Sequence, residues 1–259
     1  MDYIRDFEFR GMWNKVDVLW HNLHEDVNIL VGINGKGKTT LLDAINAYYN
    51  RSKGDSFQKK YGDKIIGTPL DCPVFYIQSS DTPSNVKKKG NSPLYENLMG
   101  VVLQNEKSNS FFNYRMRALN YVDEAPRVSA RIEMLFSVID SFFCQTDKHV
   151  EIDKEHNLLV FKSGSHPEES ITLDLLSAGE KQLLYMLLTV FLMDEKPAVL
   201  LLDEPELSLH IEWQEKLISA LRKLNSLCQL IVTTYSPSIF ASGWEDRLTF
   251  MEDLISEER

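Results

Sequence analysis

A lysine and a threonine that close a glycine-rich loop, and an aspartate–glutamate pair that ends an apolar run, are the residues of this chain whose types and spacing suit phosphate chemistry. The first set lies in Gly32-Ile33-Asn34-Gly35-Lys36-Gly37-Lys38-Thr39-Thr40, which fits G-x-x-x-x-G-K-[ST]. Glycines let backbone N–H groups curl around a phosphate, and the start of the following helix adds partial positive charge. Lys38 then reaches the β- and γ-phosphates, and the Thr39 hydroxyl ligates Mg²⁺. The bland alternative is a glycine-rich turn. It is disfavoured by the flanks: Val27-Asn28-Ile29-Leu30-Val31 reads as a buried strand, and Leu41, Leu42, Ile45, Tyr48 and Tyr49 recur at helical spacing.

The second set ends Leu200-Leu201-Leu202-Asp203-Glu204-Pro205. An apolar strand closing on two carboxylates puts Asp203 at the carboxyl edge of a sheet, where it can hold Mg²⁺ through water while Glu204 polarises an attacking water. Alone, the pair could equally be two solvated acids; the phosphate loop upstream favours the functional reading. A third motif, Leu176-Ser177-Ala178-Gly179-Glu180-Lys181-Gln182, begins a helix with a capping box of Ser177 and Glu180. An outward helix start is also an anion site. With one ATP already on the phosphate loop, this second end would serve the ATP of another copy.

The elements that must position these residues can be placed in outline. Strands are expected at Tyr3-Ile4, Phe7 to Phe9, Val16 to Trp20, Val74 to Ile77, Ala198 to Leu202 and Leu230 to Val232. Val150-Glu151-Ile152 and Leu158-Leu159-Val160-Phe161 suggest a hairpin. Residues 94–143 turn helical, with Val128, Ile132, Leu135, Ile139 and Phe142 on one face. A buried helix over 180–193 and an amphipathic one carrying Trp213, Leu217, Leu221 and Leu224 follow. The expected division is 1–80 and 150–259 for one α/β unit, with 81–149 as an inserted, mainly helical lobe.

Composition bounds the function. A formal charge of −10 argues against DNA binding by overall field, although Lys87-Lys88-Lys89 leaves a local DNA contact open beside the plainer reading of a solvated loop. Cys72, Cys144 and Cys228 are widely spaced and in no metal-like pattern, which points to a reducing, cytoplasmic setting. The longest apolar run, 183–193, is 11 residues and too short to span a bilayer.

Phosphate loop, LSAGEKQ, LLLDEP and a later Thr233-Thr234-Tyr235-Ser236-Pro237, in that order, resemble the ABC-type ATPase heads. The glycine loop's form, Phe9-Arg10-Gly11 and the PELSLH segment at 205–210 are closest to the SMC-like, RecF-like and OLD-type branch. The resemblance implies an α/β P-loop fold with a mixed amino-terminal β-layer, a parallel core sheet and a small helical lobe, and it implies ATP and Mg²⁺ as ligands. On it, Asn34, Gly35, Lys36, Gly37, Lys38, Thr39 and Thr40 wrap the phosphates and Arg10 lies beside the nucleotide. Gln78 senses Mg²⁺ and water, Asp203 supports the metal, and Glu204 is the catalytic base. Ser177, Gly179 and Glu180 meet the γ-phosphate across a dimer, and 207–210 touch the partner subunit. The switch position, normally histidine, is Tyr235, which puts the hydrolysis rate in doubt rather than ATP binding.

No heptad run lies between Lys38 and Ser177, so no long coiled-coil arm is expected, and the stretch after Thr234 is too short for a nuclease domain of the OLD kind. The favoured reading is an ATPase that dimerises head-to-tail on two ATPs and regulates a separate effector, such as a nuclease or toxin, in DNA repair or anti-phage defence. Two alternatives stand: the ATPase subunit of a membrane transporter, and a slowly hydrolysing ATP-gated binding module.

Overall fold

Ala198–Asp203 is apolar at every position but the last, and a strand of that composition must be covered on both faces. In the computed structural model, which describes residues 1–50, 60–78, 92–103, 109–153, 158–166 and 168–257, it is. This strand, β9, sits inside a five-stranded parallel sheet with β3 (Val27–Val31), β5 (Val74–Ile77), β10 (Cys228–Thr234) and β11 (Leu248–Phe250), in the order β11-β3-β10-β9-β5. Successive side chains leave opposite faces. Leu200, Leu202, Leu230 and Val232 therefore enter one core, while Val199, Leu201 and Ile231 enter another.

The second of these cores lies under an antiparallel layer, β12-β2-β1-β4, formed by Phe7–Met12 (β1), Val16–Trp20 (β2), Ile65–Gly67 (β4) and Ile255–Glu257 (β12). Between layer and sheet lies helix α1 (Lys38–Tyr49), contributing Leu41, Leu42 and Ile45. The first core is helical. It takes in α2 (Pro93–Val102), α3 (Phe111–Asn120), α4 (Ala125–Phe143), α5 (Ala178–Phe191) and α6 (Ile211–Leu224). A third antiparallel sheet, β6 (Lys148–Ile152), β7 (Leu159–Ser163) and β8 (Ser170–Ile171), packs Phe161 flat on Phe143 at 4.6 Å between ring centres. The carboxyl-terminal helix α7 (Met251–Leu254) closes the β-layer side.

Asp194 ties α3 and α4 to the turn after α5. Its buried carboxylate accepts from Tyr114 Oη, Arg117 Nη1 and Arg127 Nη2, each at 3.0 Å. Burial pushes this carboxyl up, but the hydrogen bonds from Arg117 and Tyr114 and the charges of Arg127 and Arg117 outweigh it and hold the group below the usual carboxylate range. Arg131, on the otherwise apolar face of α4, is buried and donates to Leu224 O and Phe191 O, the carbonyls ending α6 and α5.

One expectation changes. Tyr3-Ile4 is not a strand: Ile4 exchanges its backbone bonds with the side-chain amide of Gln229, at 2.8 Å each way, instead of with a neighbouring strand. The stretch 94–143 is helical as expected and holds three helices, with Pro126 in the first turn of α4. Lys87, Lys88 and Lys89 lie outside the described residues. Among those residues no helix is long and apolar enough to cross a membrane.

Candidate functional site

Parallel strands all end on one edge, and the residues singled out by chemistry line up along it. Across the sheet, β3 runs into the glycine loop, β10 into Tyr235, β9 into Asp203-Glu204 and β5 into Gln78. The loop turns on left-handed glycines, Gly35 at φ +82° and Gly37 at φ +98°. Gly37 precedes α1, whose start has no side-chain cap and no acidic residue in its first turn, so its first N–H groups have no acceptor within the helix. Asn34, Gly35, Lys36 and Thr39 are exposed on the rim, and Thr40 is half-buried.

Lys38 is 4% exposed and points back along the loop: its Nζ donates to Gly32 O at 2.7 Å and lies 3.8 Å from Glu204 Oε1. Thr39 Oγ1 donates to Asp203 Oδ1 at 3.1 Å, and Thr233 Oγ1 donates to the same oxygen at 2.6 Å. A hydroxyl and a carboxylate side by side, at the mouth of a phosphate loop, are the oxygen donors that Mg²⁺ selects, so Thr39 and Asp203 fit a metal that would neutralise phosphate charge. Glu204 follows in left-handed backbone, φ +46°, with its N–H donating to Thr233 O at 3.0 Å. That turn lifts its carboxylate off the strand and beside Lys38, where it can accept a proton from a water.

Other residues fall around this centre. Gln78 is exposed, at the end of β5, and its side chain bonds Asp43 on α1. Burial raises the Asp43 carboxyl; hydrogen bonds from Tyr76 and Gln78 pull it down, and the charge of Asp203 pushes it up again. Gln78 thus reaches the metal-side acids through Asp43, a residue that the motif reading passed over, one turn after Thr39. Arg10 is exposed on β1, and its guanidinium pairs with Glu8 Oε2 at 2.9 Å. Tyr235 is 46% exposed at the end of β10.

Trp13 is a second omission. It stands in the β1–β2 turn, 44% exposed, and a Cβ on Gly37 would meet its Cη2 at 2.8 Å. An exposed tryptophan two residues beyond Gly11 was the available signal; its approach to Gly37 depends on how the β-layer folds over the loop.

Ser177 caps α5, accepting from Glu180 N at 3.2 Å, and Glu180 Oε2 accepts from Ser177 N at 2.8 Å. Glu180 is turned inward. Its other oxygen accepts from Lys148 Nζ at 2.6 Å and Thr146 Oγ1 at 3.3 Å. Burial pushes the carboxyl up, but Lys148 and Ser177 outweigh it and hold the group low. In this arrangement Glu180 fixes the start of the helix. Gly179 is also buried, against the loop after β9: a Cβ there would meet Ser208 O at 2.2 Å. Among the described residues no hydrogen bond joins 177–180 to the glycine loop; the two anion-binding ends are separate.

Comparison with known proteins places this geometry. The chain resembles an SMC head bound to the C-winged helix domain of ScpA, with a TM-score of 0.54 and 14% identity over 93% of this chain and 91% of that one. It also resembles the SMC head domain from Thermotoga maritima, with a TM-score of 0.50 and 18% identity over 95% and 94%. At these identities the likeness is one of fold. No curated protein matches the sequence. Residues 80–241 match the family described as "AAA domain, putative AbiEii toxin, Type IV TA system". That match spans more than half of the chain and makes the protein a member of this AAA family, with a fold like that of the SMC heads.

Proposed function

We propose that the chain binds and hydrolyses ATP with Mg²⁺, closes head-to-tail with a second copy around two nucleotides, and thereby controls a separate effector in defence against phage or in a related toxin system. The observation that carries this is the convergence of Lys38, Thr39, Asp203 and Glu204 on one strand edge, within hydrogen-bond or ion-pair reach of one another. Lys38 and the α1 start hold the phosphates, Thr39 and Asp203 hold the metal, and Glu204 takes the proton from water. Trp13 offers a ring face beside the loop for a base to stack on. Ser177, on an exposed helix start with no hydrogen bond to its own glycine loop among the described residues, supplies the contact to the nucleotide of the other copy. The family's description as a toxin–antitoxin AAA domain supports the defence setting.

Purified protein should release phosphate from ATP in a Mg²⁺-dependent way, and Glu204→Gln should lower kcat by roughly 10²-fold or more while retaining ATP. Sedimentation of Glu204→Gln should give dimer with ATP and Mg²⁺ and monomer with ADP. Equal monomer content under both conditions removes the dimer reading.

A further inference from the structure

One buried acid near the site has no part in the scheme above. Glu206 is 4% exposed, two residues beyond Glu204, and it faces the end of β10. Its Oε1 accepts from Thr234 Oγ1 at 2.6 Å and from the backbone N–H of Tyr235 at 3.1 Å. Its Oε2 is buried with no hydrogen-bond partner among the described residues, and no lysine, arginine or histidine there pairs with it. A carboxylate without a cation in such a place is costly. Burial pushes its carboxyl up, outweighing the downward pull of the hydrogen bonds from Thr234 and the nearby backbone N–H groups.

The surroundings show what that side chain fixes. Gln214 on α6 donates to Leu209 O at 3.0 Å and accepts from Ser236 Oγ at 2.7 Å, while Ser236 N donates to Thr234 Oγ1 at 2.9 Å. Gln182 on α5 donates to Pro205 O at 3.2 Å. The turn carrying Tyr235 is therefore attached to the segment after Glu204 through a short polar bridge, and Glu206 accepts directly from the Tyr235 backbone N–H.

We infer that Glu206 is a positioning residue: through Thr234 and the Tyr235 amide it sets where the exposed Tyr235 phenol stands relative to Glu204, and so tunes turnover without touching nucleotide. This inference rests on the ATPase reading. Glutamine keeps the accepting oxygen at the same place, whereas methionine keeps the bulk and removes it.

The test is a double-mutant cycle on kcat and KM for ATP, with Tm measured alongside. Glu206→Met should lower kcat roughly tenfold, the scale of one lost buried hydrogen-bonded anchor, with KM within about twofold. Glu206→Gln should restore kcat to within about threefold of the parent on the same grounds. In a Tyr235→Ala background, Glu206→Met should change kcat no further. Losses that multiply in the double variant, or a Glu206→Gln as slow as Glu206→Met, overturn the inference while leaving the ATPase reading intact. A parent protein that does not turn over ATP overturns both.

Discussion

Tyr235 stands where the resemblance leads one to expect histidine, and the substitution changes what the end of β10 can do. Its hydroxyl can donate one hydrogen bond but stays neutral near pH 7, whereas an imidazole can also carry charge. A phenol also reaches farther from the backbone than either imidazole nitrogen, so we expect its contact with a γ-phosphate to be displaced though not abolished. Loss of one preorganised donor at developing charge costs roughly 10²–10³ in rate. Tyr235→His should accordingly speed ATP turnover with little change in nucleotide affinity; a parent that turns over briskly, with no gain in the variant, refutes this. The chemistry-bearing residues were legible in the sequence because their motifs are local: Lys38 and Thr39 are adjacent, and Asp203 and Glu204 end one apolar run. Glu206, Asp43 and Trp13 were not. Each matters through a neighbour far along the chain, Tyr235, Asp203 and Gly37 respectively, and no spacing encodes that proximity.

At the scale of elements, α5 packs closely on the segment after β9. Gly179 leaves no room for a Cβ beside Ser208 O, and Ser208 is itself in left-handed backbone at φ +66°. Gly179→Ala must push the helix start and this loop apart, which we expect to cost about 2 kcal/mol or more. ATP-dependent dimerisation should be lost even where the monomer still binds nucleotide. Calorimetry and sedimentation would separate these effects, and an alanine variant with unchanged Tm and dimer would show that the two backbones are not in contact. The motif of Gly179 was in view in the sequence; its packing against Ser208 was not. Long elements with a clear period, such as α5 and β9, were readable. The two- and three-residue strands β4, β8, β11 and β12 were not, since a strand that short has no alternation to detect.

For the molecule as a whole, stability and association are separable. Asp194 joins three helical elements, and its carboxyl is held low in the fold, so the stability it supplies is present above its unfolded pKa and is lost as pH falls through the lower folded value. Asp194→Asn should cost on the order of 2 kcal/mol near neutral pH, discounted for the partly exposed arginines. Below about pH 4, where an unfolded aspartate protonates, the gap should narrow. Denaturant titrations at pH 7 and pH 3 would show it, and an equal gap at both refutes the assignment. Ser177→Arg tests the other side: with its exposed position at the start of α5, it should abolish the ATP-dependent dimer while leaving folding and ATP binding intact.

The parallel sheet carries one core on each face, and β9 feeds alternate side chains into both. A slide of β9 by one residue would reverse every one of those placements at once. The strand that bears Asp203 is thus clamped from two sides, like a rail between two blocks, and it cannot travel by small steps. Any stroke produced by nucleotide must then be carried by what overhangs the rail: Gln78, the segment 204–210 and the turn at Tyr235. The sheet is thus a fixed anvil, and these overhanging segments are the lip that is free to answer to a ligand at its edge.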